Sequence, residues 1–168
     1  RWDGTGADEG RVYLYLGSAS GLGSSPALVL DPLDQAGARF GEGLSGAGDV
    51  NGDGRGDVIV GAPGWDGSVV DEGRADLFVG TALGLAAASS WTAIAAGQAS
   101  ARLGAAVSGV GDVNGDGFAD VGVGAPGFTS QQPGEGRVSV YLGSAAGLAA
   151  SPVATPEPTD RSGANFGA

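Results

Sequence analysis

The sequence predicts an all-β chain built from one repeated antiparallel unit of four short strands, and three observations predict it. The first is internal repetition: residues 38–64 align without a gap onto 101–127 with 19 identities in 27 positions, and residues 9–22 match 135–148 at 11 of 14, at twice the same 63-residue interval. The second is strand chemistry, because short β-branched and aromatic runs such as Val58-Ile59-Val60 and Val12-Tyr13-Leu14-Tyr15-Leu16 are bounded by glycine and Asx residues. The third is composition: 35 glycines among 168 residues, with 42% apolar content, describe tight turns between buried strands rather than a disordered chain. A chain of this length can bury one core of ordinary size.

The elements follow in order through one repeat. A first strand is expected over residues 40–47 and a second over 57–61, ending at Gly61-Ala62-Pro63, where proline cannot donate to a ladder. The third strand, 74–79, carries alternating and then continuous apolar residues, and a weaker fourth lies near 90–95. Val12 to Leu16, the third strand of the preceding copy, is apolar on both pleat faces, as a sheet between two neighbouring sheets requires. The first strands are instead small, with only Leu44, Val107 and Val110 of any bulk over 43–48 and 105–111. Innermost strands converging on an axis need that smallness, and four-stranded sheets packed radially form a β-propeller.

Between the first and second strands stands Asp49-Val50-Asn51-Gly52-Asp53-Gly54-Arg55-Gly56-Asp57, which returns as Asp112-Val113-Asn114-Gly115-Asp116-Gly117-Phe118-Ala119-Asp120. Each copy collects four oxygen-bearing side chains at loop positions 1, 3, 5 and 9. Two carboxylates about 4 Å apart repel by roughly 4 kcal/mol at an effective dielectric near 20 unless a cation joins them. Glycine at position 6 permits the positive φ that turns side chains inward. Hard oxygen donors without sulfur or imidazole select calcium over zinc or copper. An EF-hand loop begins in the same way, but position 12 is Val60 or Val123 where the bidentate Glu would stand, and the flanks are strands. Asn-Gly and Asp-Gly are also turn signals. A plain turn nevertheless has no use for three carboxylates and an Asn at identical spacing, twice.

Phe40-Gly41, the Asp-x-Asn-x-Asp-Gly-x-x-Asp loop and Gly61-Ala62-Pro63, repeated as Leu103-Gly104, the second loop and Gly124-Ala125-Pro126, resemble FG-GAP repeats, the blades of the integrin alpha-chain propeller and of many secreted bacterial proteins. The resemblance spans the whole chain. It implies a calcium ion in each loop, two in all, held by the side chains of Asp49, Asn51, Asp53 and Asp57 and of Asp112, Asn114, Asp116 and Asp120. The backbone carbonyls of Arg55 and Phe118 complete each set. Leu103 departs from the family's Phe, an apolar exchange expected to keep the packing role.

In this frame residues 1–37 are the outer half of one blade, 38–100 and 101–163 are full blades, and 164–168 begin another. Such a chain is expected not to close a propeller alone, so further blades come from a longer polypeptide or from other copies. Three chains would give eight periods of 63, but the longer polypeptide is favoured. No leader peptide or membrane-length apolar run stands in the sequence, and the chain reads as a processed or excised piece.

The function expected is that of a calcium-stabilised extracellular or cell-surface module for binding, adhesion or structure, taking a protein or glycan ligand at inter-blade loops. Millimolar calcium outside cells matches loops of modest affinity. With 19 acidic against 8 basic residues and a net charge of -11, the surface repels nucleic acid and anionic lipid, and no membrane insertion is expected. Two bound calcium ions would offset part of that charge. An enzyme is not expected, because His, Cys and Lys are all absent and most clustered carboxylates are assigned to metal. An accessory propeller of a larger secreted enzyme is one alternative. A propeller lectin is another, with Trp2-Asp3-Gly4 and Trp65-Asp66-Gly67 stacking on sugars, although Phe128-Thr129 lacks the acid and the aromatics could serve as core. Arg55-Gly56-Asp57 spells an integrin-recognition tripeptide, read as coincidence since Asp57 is assigned to the loop. Glu9-Gly10-Arg11, Glu72-Gly73-Arg74 and Glu135-Gly136-Arg137 are either repeated ion pairs at the entry to the third strand or solvated edge charges that discourage foreign strands, and the edge role is favoured.

Overall fold

A computed structural model describes residues 6–31, 34–158 and 161–168, and among these every regular element is a β-strand. β1 (Val12–Leu14) leads through a two-residue hairpin, β2 (Gly17–Ser18) and β3 (Gly21–Leu22), to β4 (Leu28–Leu30). β4 returns antiparallel along β1, with Val12 opposite Leu30. Next come β5 (Gly43–Gly48), β6 (Asp57–Ala62) and β7 (Arg74–Phe78), then a second small hairpin, β8 (Gly80–Thr81) and β9 (Gly84–Leu85), and finally β10 (Trp91–Ile94). β5, β6, β7 and β10 form a four-stranded antiparallel sheet in the order β10-β7-β6-β5, while β8 and β9 pair with each other. β11 (Val107–Gly111), β12 (Asp120–Ala125) and β13 (Arg137–Tyr141) repeat the first three strands of that sheet. The chain is thus an all-β, incomplete propeller whose sheets do not close into a ring.

Two expectations need correction. The last repeat has no fourth ladder strand among the described residues; Val140 makes a single bridge to Ala154, supported by Val140 N–H on Ala154 O at 2.9 Å and Val138 N–H on Pro156 O at 3.1 Å. Pro156 and Pro158 explain it, since each removes a donor from the segment. The first strand also begins at Gly43 rather than at residue 40. Phe40 instead makes a parallel bridge to Gly10, in the sheet before its own, and Gly41 at φ 88° breaks the strand. The same joint recurs as Gly73 with Leu103 and Gly136 with Phe166.

Packing accounts for the small inner strands. A Cβ on Gly43 would stand 2.5 Å from Gly104 O, and one on Gly109 would stand 2.6 Å from Gly46 O, so β5 and β11 approach at a spacing that larger side chains would prevent. One core cluster joins the two larger sheets through Ile59, Leu77, Leu103, Val121, Val123 and Tyr141. A second holds Phe40, Phe78, Val60, Val12 and Leu30, with Phe40 and Phe78 edge to face at 6.2 Å between centroids. Leu103 is 4% exposed within its cluster and fills the role of the Phe it replaces. Apolar faces on both sides hold for β7, where Leu77 and Phe78 are fully buried, but not around β1, where Tyr13 and Tyr15 are each 43% exposed. β1 pairs only with β4 among the described strands, and the outward side chains Tyr13 and Tyr15 remain half-exposed.

Candidate metal-binding loops

Both acidic loops close a hairpin, β5–β6 and β11–β12, and both are entered through a β-bulge. Gly46 faces Val58 and Gly48 faces Asp57, leaving Ala47 as the extra residue; the second copy shifts between Gly109 and Gly111 in the same way. Gly48 and Gly111 stand at φ 80° and 77°, which lets the bulge turn Asp49 and Asp112 away from the ladder.

Within the first loop, Asp49 Oδ1 accepts N–H bonds from Gly52 at 2.8 Å and Asp53 at 3.1 Å, and Oδ2 accepts one from Gly54 at 2.8 Å. Asn51 Oδ1 accepts from Asp53 N–H at 3.1 Å, and Asp53 Oδ1 accepts from Arg55 N–H at 2.9 Å. In the second loop Asp112 takes N–H bonds from Gly115, Asp116 and Gly117, and Asp116 takes one from Phe118. The N–H of Gly54 leads the effects that hold the Asp49 carboxyl below the ordinary range, with partial burial opposing it and the N–H groups of Gly52, Asp53 and Asn51 adding to it. Gly117 leads in the same way at Asp112.

Asp57 and Asp120 are held differently. Asp57 is 2% exposed, and its two oxygens accept the N–H groups of Val50 at 2.9 Å and Gly80 at 2.7 Å. Asp120 takes Val113 N–H and Gly143 N–H, both at 2.8 Å. Position 9 therefore ties the loop to the chain just after the third strand. Sequence reasoning missed Gly80 and Gly143. Their signal was the recurrence of Leu16-Gly17-Ser18, Val79-Gly80-Thr81 and Leu142-Gly143-Ser144 at the repeat interval. The burial of Asp57 also withdraws Arg55-Gly56-Asp57 from display, as expected of a coincidental match.

The two loops are stitched together. Asp49 O accepts Ala119 N–H at 2.9 Å, and Val50 O accepts Ser144 N–H at 3.0 Å. The Phe118 ring lies over Gly52, where an added Cβ would stand 2.7 Å from Cε1. In the second loop the side chain at position 7 thus packs on the first loop. Arg55 instead reaches back to Asp53, 3.5 Å away.

The donor chemistry fits a hard divalent cation: three side-chain oxygen groups per loop at positions 1, 3 and 5, glycine at each sharp turn, and a buried anchoring carboxylate at position 9. The carboxylate oxygens meet backbone N–H groups in this geometry. Among the described residues, the set of three carboxylates whose oxygens lie within 4.8 Å of one another is elsewhere, at Glu9, Asp31 and Asp34, where Arg11 pairs with Asp31.

The Glu-Gly-Arg motifs are not solvated edges. Glu9, Glu72 and Glu135 are 1%, 0% and 2% exposed. Glu72 accepts N–H bonds from Ser68 at 2.9 Å and Gly97 at 2.6 Å, Glu135 accepts one from Gln131 at 3.0 Å, and Glu9 accepts one from Gly6. Buried backbone donors must be paired, and these carboxylates pair the loop that follows each second strand. Trp65 packs against the second core cluster with the Arg74 guanidinium 5.6 Å from its ring centroid, while Trp2, Asp3 and Gly4 lie outside the described residues.

Comparison with known proteins places these elements in a family. The FG-GAP repeat model matches residues 40–89 and 103–141, more than half of the chain. Integrin alpha-IIb of Mus musculus is 37% identical over 125 residues, covering 71% of this chain and 12% of that protein. Integrin alpha-5 of Xenopus laevis is 31% identical over 156 residues, covering 89% of the chain and 14% of that protein. Phosphatidylinositol-glycan-specific phospholipase D of Homo sapiens is 39% identical over 124 residues, covering 68% and 14%. The chain spans about an eighth of the length of the curated relatives it matches. Repeat interval, bulged acidic hairpins, Gly-Ala-Pro strand ends and these similarities agree, and the chain belongs to the FG-GAP repeat family.

Proposed function

We propose that this chain is part of an extracellular, calcium-stabilised β-propeller that serves as an adhesion or binding module, with one calcium ion in each acidic loop. One observation carries the reading: the two loops, 63 residues apart, repeat the same hydrogen-bonded arrangement of Asp, Asn, Asp and Asp on the same bulged hairpin. The similarity to integrin alpha chains supports an extracellular setting and protein ligands at the inter-blade loops. A cation would replace the N–H groups as partner of Asp49, Asn51 and Asp53, and would lock the hairpin to the anchored Asp57. We also infer that 38–100 and 101–163 are each one blade, with 1–37 and 164–168 belonging to its neighbours.

No catalytic role is assigned to these residues, and the phospholipase D relative fits a propeller carried as an accessory. A lectin function is not favoured, because Trp65 rests on the core under Arg74 rather than standing free.

Calcium titration by calorimetry tests the reading. Two sites are expected, and Asp53→Ala or Asp116→Ala should each remove one. Asp53 is the informative choice, since its carboxylate anchors only local loop groups. EDTA should lower the melting temperature by the linkage between ligand and fold. Identical melting curves in calcium and in EDTA would remove the assignment.

A further inference from the structure

The three Glu-Gly-Arg arginines do not have equivalent partners. Arg11 Nε donates to Asp31 Oδ2 at 3.0 Å, and its Nη2 pairs with the same carboxylate. Arg74 makes a two-pronged pair with the fully buried Asp76, Nε to Oδ2 and Nη2 to Oδ1 at 2.8 Å each, and Thr92 Oγ1 shares Oδ1 at 2.6 Å. Arg137 stands one repeat further on, where Asp76 becomes Ser139 and Thr92 becomes Thr155. Its Nη2 lies 3.5 Å from Glu157, at the limit of a hydrogen bond, and its buried Nε has no partner.

This arginine lines a cleft of about 290 Å³ between the outer part of the second repeat and β13, with Ser139, Thr155, Phe128, Tyr141 and Ile94 among its walls. The guanidinium lies over the Phe128 ring, Cζ 3.8 Å from the centroid. Stacking fixes the plane of the group and leaves its donor edge for in-plane acceptors. A buried donor without an acceptor is unfavourable, and an ionised acceptor on a guanidinium edge forms among the stronger hydrogen bonds available to proteins.

We propose that this cleft binds a carboxylate group supplied from outside the chain, received by Arg137 with Thr155 and Ser139 alongside, in the role that Asp76 has beside Arg74. The ligand class is a small carboxylic acid or the Asp or Glu side chain of a partner. Overall charge does not explain such binding, because the chain is acidic and repels anions elsewhere.

The test uses the calcium-loaded chain and two blocked amino acids, N-acetyl-aspartate N-methylamide and its asparagine counterpart. The aspartate probe is expected to bind saturably by calorimetry and to raise the melting temperature, while the neutral probe does neither. Arg137→Gln should weaken aspartate binding by about tenfold or more, as expected when a charge-assisted pair is lost. Ser139→Asp restores the internal carboxylate; it should abolish binding and raise the melting temperature without ligand, a gain that a misfolded variant could not show. An acidic peptide that binds more tightly than the blocked residue identifies a protein side chain as the source, and equal affinity identifies a free acid. Equal binding of the two blocked probes, or undiminished binding by Ser139→Asp, overturns the proposal.

Discussion

Glu72 shows how a single residue can look like surface in a sequence and act as interior in the fold. Its two oxygens are the acceptors for Ser68 and Gly97, groups on opposite sides of β7 in sequence. Glu72→Ala leaves both donors without a partner. At about 1–3 kcal/mol for each buried unsatisfied group, we expect a loss of roughly 2–6 kcal/mol in denaturant unfolding, and a loss below that of an ordinary surface substitution would refute the role. Asp49 and Asp112 give a prediction in pH. Their carboxyls are held below the ordinary range, chiefly by Gly54 and Gly117 N–H, so the charged form is favoured in the folded loop. The resulting stabilisation is present above the unfolded Asp value of about 3.9 and fades as pH falls through the lower folded value. Carboxyl carbon shifts followed by NMR in EDTA should place both groups below a free Asp in titration.

At the scale of elements, the hairpin and its anchor act together. Gly80 accepts no side chain, because a Cβ there would stand 2.5 Å from Gly56 O and 2.8 Å from Arg55 Cβ, and its N–H holds Asp57. Gly80→Ala is therefore expected to loosen the first loop by about 1–3 kcal/mol of overpacking while sparing the second. Calorimetry should find one calcium site weakened and one unchanged, and equal weakening of both would contradict the anchor. These elements differ in how visible they were in the sequence. β6 and β7 fall within one residue of the positions that alternation and the Gly-Ala-Pro stop indicate, because period and punctuation are local properties. Both acidic loops were legible as well, since their chemistry is written in consecutive residues. The stitching of Phe118 onto Gly52 and the bond from Gly97 to Glu72 were not, because each joins residues 25 or more positions apart, and the two small hairpins escaped because their two-residue strands are too short to show a period. The missing fourth strand of the last repeat could have been read from Pro156 and Pro158, but the force of the repeat pattern concealed it.

Across the whole molecule, equivalent residues report whether a neighbour covers them. Val50 is fully buried beneath the following repeat, whereas Val113, its counterpart, is 57% exposed. Tyr13, Leu16 and Leu44 add apolar surface at the other flank. Unpaired sheet faces of this kind promote association. The isolated chain is therefore expected to show a native mass above 16.1 kDa at high concentration, and a monodisperse single chain there would contradict it. The parallel joints between Gly10 and Phe40, Gly73 and Leu103, and Gly136 and Phe166 have a thermodynamic consequence. Among the described residues these joints and both core clusters link sequence-adjacent repeats, so the molecule behaves as a short linear array whose melting is one event only while every coupling term is large. At Gly73, φ is 82° and a Cβ would meet Leu103 N at 2.2 Å, so Gly73→Ala weakens one coupling at a residue of the core that the two larger sheets share. Its melting temperature by calorimetry should fall, and an unchanged value would contradict the coupling.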